Sequence, residues 1–248
     1  MDLARLFERP IAHRGLHDAS AGVIENSRTA VLRAVDAGYS FEVDVQITSD
    51  GEAVVFHDDN LDRLTGDTGA VKTRTAAELT QIVLANSGYG DRLWTLSELL
   101  AVVDGRVPAI IEIKTHWDGD TRLARRVAEL LASYQGTVAA KSFDPDMVTA
   151  VRAAAPDLPR GIIGYAYDDA EAKPLPPLKR FALRNLLHWP RTKPHFISWH
   201  VHDLPRRSVD VASRFTGAPI MTWTVRTPPE QARAGLCADQ MIFEGFLP

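Results

Sequence analysis

A chain of 248 residues, 45% hydrophobic and 24% charged, has the make-up of a water-soluble globular protein and is long enough to bury one large α/β core. Its net charge of −4 argues against a surface built for nucleic acid, which calls for a strong basic excess. The single cysteine, Cys237, excludes an intrachain disulfide; with no signal-peptide core at the N-terminus and no apolar run of roughly 20 residues, a cytoplasmic protein is expected.

Short apolar runs alternate with amphipathic stretches along the chain. Strands are predicted at 11–13, 41–47, 108–114, 137–142, 160–164, 196–200, 220–225 and 240–243. Helices are predicted between them. The first, over 27–37, has apolar Ala30, Val31, Ala34 and Val35 on one face and Gly38 placed to end it. Others follow at 96–103, 122–134 and 147–155. Two more, at 205–215 and 228–236, start on Pro205 and Pro228, where a missing N–H costs nothing. Eight βα repeats predict a TIM-type (βα)8 barrel in one domain spanning 1–248. A doubly wound open sheet is the other architecture with this alternation.

Two segments break the pattern. After the second strand, Thr48-Ser49-Asp50-Gly51 reads as a hairpin turn and Ala53–Phe56 as a strand folding back beside the first. This β-hairpin insertion returns His57 towards Glu42. The 168–194 segment holds Pro174, Pro176, Pro177, Pro190 and Pro194, around a short helix LKRFALRNLLHW with basic and apolar faces. It reads as a surface helix in a long βα loop, or as a lid facing lipid.

Glu42 and Asp44 stand at i and i+2, so on one strand they face the same side. Phe41, Val43, Val45 and Ile47 mark that strand as half-buried, and two adjacent carboxylates losing hydration need a cation. Glu112 and Lys114 repeat the spacing on another strand: Glu112 as third metal carboxylate, Lys114 facing an anionic substrate, or the two as a structural ion pair. An all-oxygen donor set suits one divalent cation, Ca or Mg.

His13 and His57 each end a predicted strand near the same rim, beside these carboxylates. Titrating near neutral pH, such a pair serves as general acid and base. Asp58 either orients a ring or makes a local turn contact. Arg14 can grip two phosphate oxygens in fork geometry, and Gly15 allows close backbone approach or serves a turn. His200 and His202 are weaker candidates at another strand end. His17, His116, His188 and His195 are assigned to loops or the surface. Trp223 is either a core residue or an apolar wall against the substrate's alcohol group.

The motifs AHRG, IENS, FEVDVQITSDG, VVFHDDNLDRLT, IEIK, KSFDP and WTV occur in this order. In this the chain resembles the glycerophosphodiester phosphodiesterase family, most specifically over 11–65 and in patches to 243. The resemblance implies a TIM-type barrel and metal-dependent hydrolysis of small-molecule glycerophosphodiesters to glycerol 3-phosphate and an alcohol. It matches His13 and His57 to the family's catalytic pair, and Glu42, Asp44 and Glu112 to its metal ligands. Arg14 and Lys114 match its phosphate-binding positions, and Glu25-Asn26 places Asn26 near the site. The chain departs from the family in Arg226 after WTV, where asparagine is common. It also ends its last strand in IFEG rather than Thr-Asp, and carries Ser27 where threonine is usual.

Two other functions are compatible with the sequence. A lysophospholipase D-type lipid phosphodiesterase would share the chemistry and use the basic-apolar segment at a membrane surface. A non-catalytic phosphate-ligand sensor on a decayed barrel would be expected to have lost one of His13, Arg14, Glu42, Asp44, His57, Glu112 or Lys114, and all are present.

Overall fold

The computed structural model describes residues 3–170 and 172–248. A short helix, α1 (Leu3–Phe7), precedes strand β1 (Ile11–Ala12), and α2 (Arg28–Asp36) leads into β2 (Ser40–Ile47) and the returning β3 (Ala53–Val55). After a long excursion containing α3 (Ala76–Leu79), the chain settles into regular alternation. The elements are α4 (Leu96–Val103), β4 (Ala109–Ile113), α5 (Arg122–Ala132), β5 (Val138–Ser142), α6 (Pro145–Ala154) and β6 (Arg160–Gly164). Then come α7 (Pro177–Arg184), α8 (Trp189–Thr192), β7 (Phe196–His200), α9 (Arg207–Thr216), β8 (Ile220–Val225), α10 (Pro228–Cys237) and β9 (Gln240–Phe243).

β1 pairs in parallel with both β2 and β9, so eight parallel strands close on themselves. That closure rules out the doubly wound open sheet and makes the fold a TIM barrel. β3 runs antiparallel on the outer half of β2, with Val45 opposite Val55, as the hairpin turn predicts. Helix starts follow local chemistry: Ser27 caps α2, and Thr95 and Thr227 form capping boxes with Glu98 and Glu230. Pro228 opens α10 as expected. Pro205 does not open α9, which starts at Arg207 because Pro205 precedes its cap residue Arg206.

Every β2 residue is buried, because this strand is covered on both faces. Phe41, Val43 and Val45 pack outward with Ile111, Ala140, Leu99 and Val127 from neighbouring strands and helices. A separate cluster inside the barrel holds Leu6, Ile11, Ile110, Ala139, Phe196 and Ile242. Gly161 makes room for it, since a Cβ there would lie 2.2 Å from the Phe196 ring. Through Leu6, α1 packs into this cluster, with Phe7 edge-on to Phe196 at 6.3 Å.

The segment between β6 and β7 holds two histidines that folding keeps neutral. Burial, then Arg191, pushes His188 down to about 4; burial, then Arg160, does the same to His195, whose Nδ1 accepts the Arg160 N–H at 3.2 Å. Both are half-buried rather than at the surface. A lowered folded-state value leaves stability intact above the ordinary value near 6.5. Below that the unfolded chain takes up protons that the folded chain refuses, and stability falls until about pH 4. Between pH 7 and pH 5 the unfolding free energy read from urea titration should drop, by about 2 kcal/mol through His188 and less through the more solvated His195. His188→Gln should flatten that slope; an unchanged slope would exclude His188 as its source.

Candidate active site

Strand register builds a polar layer at the C-terminal mouth of the barrel. Asp44 on β2 lies opposite Glu112 on β4, and Glu112 opposite Lys141 on β5; Glu42 sits one inward step below Asp44. All four are buried, which excludes exposed polar residues on an edge strand. One oxygen from each of Glu42, Asp44 and Glu112 lies within 4.8 Å of the other two, close enough to share one cation.

Three basic side chains face these three carboxylates. Lys114 Nζ lies 2.9 Å from Glu112 Oε1 and 3.1 Å from Asp44 Oδ1, so the predicted Glu–Lys pair exists within the carboxylate group. Lys141 Nζ lies 3.1 Å from Glu42 and 3.3 Å from Glu112. Arg14 Nε lies 3.3 Å from Asp44. Burial alone would raise the Asp44 carboxyl; Lys114, His57, Arg14 and His13 outweigh it and hold Asp44 well below the usual range. Burial likewise opposes ionisation of Glu112, and Lys114 and Lys141 restore it. Desolvation would lower Lys114 and Lys141, yet their carboxylate partners hold both above the ordinary lysine range.

The residues fit a hard divalent cation. Three carboxylates form an all-oxygen donor set, all buried, with the Lys141 ammonium 3.1 Å from Glu42 Oε1 as the cationic neighbour a metal would join.

The turn after β1 brings the next groups in. Arg14 adopts a left-handed φ of 55° and its N–H donates to Glu42 Oε2 at 3.2 Å. Gly15 follows at φ 77°, where a Cβ would lie 2.8 Å from the Ala30 backbone, so close approach is what this position requires. Asn26, also left-handed at φ 60°, donates Nδ2–H to Asp44 Oδ2 at 3.0 Å and accepts the Asp44 N–H at 3.1 Å. Asn26 thus fixes the Asp44 carboxylate.

Both histidines are held by carboxylates. His13 Nδ1 lies 2.6 Å from Glu244 Oε2 and His57 Nδ1 lies 2.7 Å from Asp58 Oδ1. An ionised carboxylate only accepts, so each Nδ1 carries its proton and each Nε2 is the nitrogen open to a ligand. Asp58 therefore orients the His57 ring. Burial works against ionising Glu244, but His13 and Arg226 hold it at about 2; Arg63 and His57 do the same for Asp58, also about 2. Arg63 bridges Asp58 and Glu25, and Glu25 accepts from Arg14 at 2.6 Å, so ion pairs run unbroken from His57 to Arg14.

Lys141, Glu244, Arg63 and Glu25 were not among the sequence-predicted site residues. Lys141 was within reach of strand reasoning: on β5 it shares an inward face with Ala139, as Asp44 does with Glu42. Glu244 is the first residue past β9, at the same rim. It pairs with Arg226 at 3.1 Å, so two departures from the family pattern form one unit behind His13.

Trp223 lies apart from the carboxylates. It is half-buried, donates Nε1–H to the Ser198 carbonyl at 3.2 Å, and stands edge-on to Phe143 at 5.4 Å and His200 at 5.1 Å. Phe143 in turn meets Tyr165 at 6.0 Å. The mouth therefore has a charged side over β1, β2, β4 and β5 and an aromatic side over β5 to β8. His200 belongs to the aromatic side, with Nδ1 3.4 Å from Asp203, and His202 pairs with Glu230 at 2.8 Å.

Fold and site together define a TIM barrel with a buried carboxylate cluster and two carboxylate-held histidines at its C-terminal mouth. The chain belongs to the glycerophosphoryl diester phosphodiesterase family, whose model matches residues 13–242. It is 32% identical over 163 residues to a glycerophosphodiester phosphodiesterase of Caldanaerobacter subterraneus subsp. tengcongensis, covering 62% of this chain and 65% of that one. It is 29% identical over 152 residues to human glycerophosphodiester phosphodiesterase 1, covering 57% and 44%. The matches thus span less than two thirds of these relatives' lengths. Among solved structures, an Oleispira antarctica phosphodiesterase in complex with the product sn-glycerol-3-phosphate aligns at TM-score 0.76 and 20% identity, over 94% of this chain and 91% of that one. A Thermotoga maritima glycerophosphodiester phosphodiesterase aligns at 0.70 and 24%, over 95% and 94%. At these identities the likeness is one of fold. No described helix is long and apolar enough to cross a membrane.

Proposed function

We propose that the chain hydrolyses glycerophosphodiesters to glycerol 3-phosphate and an alcohol, using one divalent cation, Ca or Mg. The observation that carries this reading is the buried group Glu42, Asp44 and Glu112 with two carboxylate-held histidines at the same barrel mouth. Family membership and the product complex of the Oleispira relative support it.

Glu42, Asp44 and Glu112 would hold the cation, which when bound supplies Lewis-acid polarisation of a phosphoryl oxygen. Arg14 and Lys114 place fixed positive charge beside the phosphate, complementing charge that builds up at phosphorus. Asn26 keeps Asp44 in position. One of His13 and His57 takes the proton from the attacking oxygen, from water or the substrate's own glycerol hydroxyl, through its free Nε2. As the bond from that oxygen to phosphorus forms and the bond to the alcohol oxygen breaks, the other histidine protonates the departing oxygen; water attack gives glycerol 3-phosphate directly, whereas attack by the hydroxyl gives a cyclic phosphate that a water then opens with the two histidines in exchanged roles. Glu244 and Asp58 stabilise whichever ring becomes cationic. Trp223 and the aromatic side receive the alcohol portion.

The first test is glycerol 3-phosphate release from glycerophosphocholine by purified protein, after chelation and re-addition of Ca or Mg. Release should stop with chelator and return with the ion. The aromatic wall of Phe143, Tyr165 and Trp223 favours a second reading, a lysophospholipase D-type activity. Turnover of lysophosphatidylcholine without turnover of glycerophosphocholine would select it. No turnover of either substrate with either ion would leave a phosphate-ligand sensor.

A further inference from the structure

The connection between β6 and β7 opens with three acids, Asp168, Asp169 and Glu171, and then from 172 to 195 carries Lys173, Lys179, Arg180, Arg184, Arg191 and Lys193 and no aspartate or glutamate, in a chain of net charge −4. Asp169 is committed to local contacts: it accepts the Ala172 N–H at 2.9 Å and the Tyr165 hydroxyl at 3.3 Å. Arg191 pairs with Asp146, while Lys179 lies 4.2 Å over the Trp117 ring rather than on a carboxylate.

The same segment exposes large apolar side chains. Of α7, Leu183 alone is buried. Leu178 is 79% exposed, Phe181 49% and Leu187 58%. Leu183 roots the helix in a cluster with Tyr167, Ala172 and Leu175, against which Trp117, Phe143 and Tyr165 pack. Phe143 continues to Trp223. The connection leaves the C-terminal end of β6, so helix and site share one face of the barrel. A basic surface studded with exposed leucine and phenylalanine is the composition of a helix that lies in a lipid interface. A partner binding through charge alone would leave the apolar side chains in water.

We propose that α7 and its flanks dock on anionic phospholipid membrane. Leu178, Phe181 and Leu187 enter the headgroup boundary, and the surrounding lysines and arginines meet the lipid phosphates. The aromatic side of the barrel mouth then faces the source of lipid-derived substrates, a consequence that rests on the phosphodiesterase reading. The docking itself does not.

Sedimentation with vesicles tests it, comparing phosphatidylcholine alone with phosphatidylcholine plus phosphatidylglycerol. The protein should pellet with the anionic vesicles, less so at high salt, and weakly with the neutral ones. Each basic residue at such a surface is worth about fivefold in affinity, so Lys179→Gln/Arg180→Gln should bind about 30-fold more weakly. Leu178→Asp/Phe181→Asp should lose pelleting. Leu178 and Phe181 are exposed, whereas Lys179 and Arg180 are half-buried, and unchanged circular dichroism checks that each variant keeps the fold. No pelleting of the unaltered protein with anionic vesicles overturns the proposal, as does equal pelleting of the protein and both variants. Turnover of water-soluble glycerophosphocholine reads the site separately: if that fails while vesicles still bind, the functional reading falls and the docking stands.

Discussion

Replacing His57 with asparagine is expected to lower kcat on glycerophosphocholine by about 10²–10⁴-fold while leaving the folded state almost untouched. The ring lies at the rim with 30% of its side chain exposed, and Asp58 holds its Nδ1. Asp58 keeps two bonds to Arg63 when the ring is lost. Substitutions of this kind usually change stability by less than about 0.5 kcal/mol, so Tm should move by no more than about 2 °C. His13 makes an informative comparison. It is 8% exposed and holds Glu244, so His13→Asn should lose comparable turnover and some stability as well. Near-normal turnover in the His57 variant, with a normal Tm, would remove His57 from the mechanism.

Lys141→Met should have the largest effect on stability. Lys141 is 3% exposed and its ammonium touches both Glu42 and Glu112, and removing it leaves three buried carboxylates facing two cations. Breaking a buried ion pair from one side costs about 3–5 kcal/mol, readable as a lower urea midpoint in the presence of chelator. A divalent cation binding among the same carboxylates would offset part of that loss, since a ligand that binds only the folded chain stabilises it. Adding Ca or Mg should therefore raise the midpoint more in the variant than in the unaltered protein. Equal midpoints under chelation would mean that Lys141 does not balance this charge. Equal gains on adding the ion would mean that it does not compete for the site.

These two residues also mark what sequence reading reaches. His57 is legible because the turn at Asp50-Gly51 requires the chain to reverse, which brings a distant histidine back to Glu42. Glu42, Asp44, Glu112 and Lys114 are legible because strands alternate faces and two carboxylates on one buried face need compensation. The regular βα alternation made the eight strands readable to within a residue or so. Barrel closure was not written in any local pattern, since β1 has two residues and its pairing with β9 spans almost the whole chain. Nor was α1 legible, for five residues carry too little helical period. The excursion from 57 to 95 has short turns instead of long elements, and Phe56, Leu61, Val71, Leu79, Leu84 and Leu93 hold it through a small core of their own. The carboxylates behind the histidines divide the same way. Asp58 is adjacent to its ring and was readable as a partner, whereas Glu244 lies 231 positions from His13 and only the closed barrel joins them.

That last contact has a consequence for how the molecule comes into being. A ribosome delivers His13 231 positions before Glu244. β9, which flanks β1 on its open side, arrives just before Glu244. Until then His57 can already be held by Asp58 while His13 has no carboxylate behind it. An unfinished chain, however far its other strands have paired, therefore lacks the His13–Glu244 contact until the closing strand is in place.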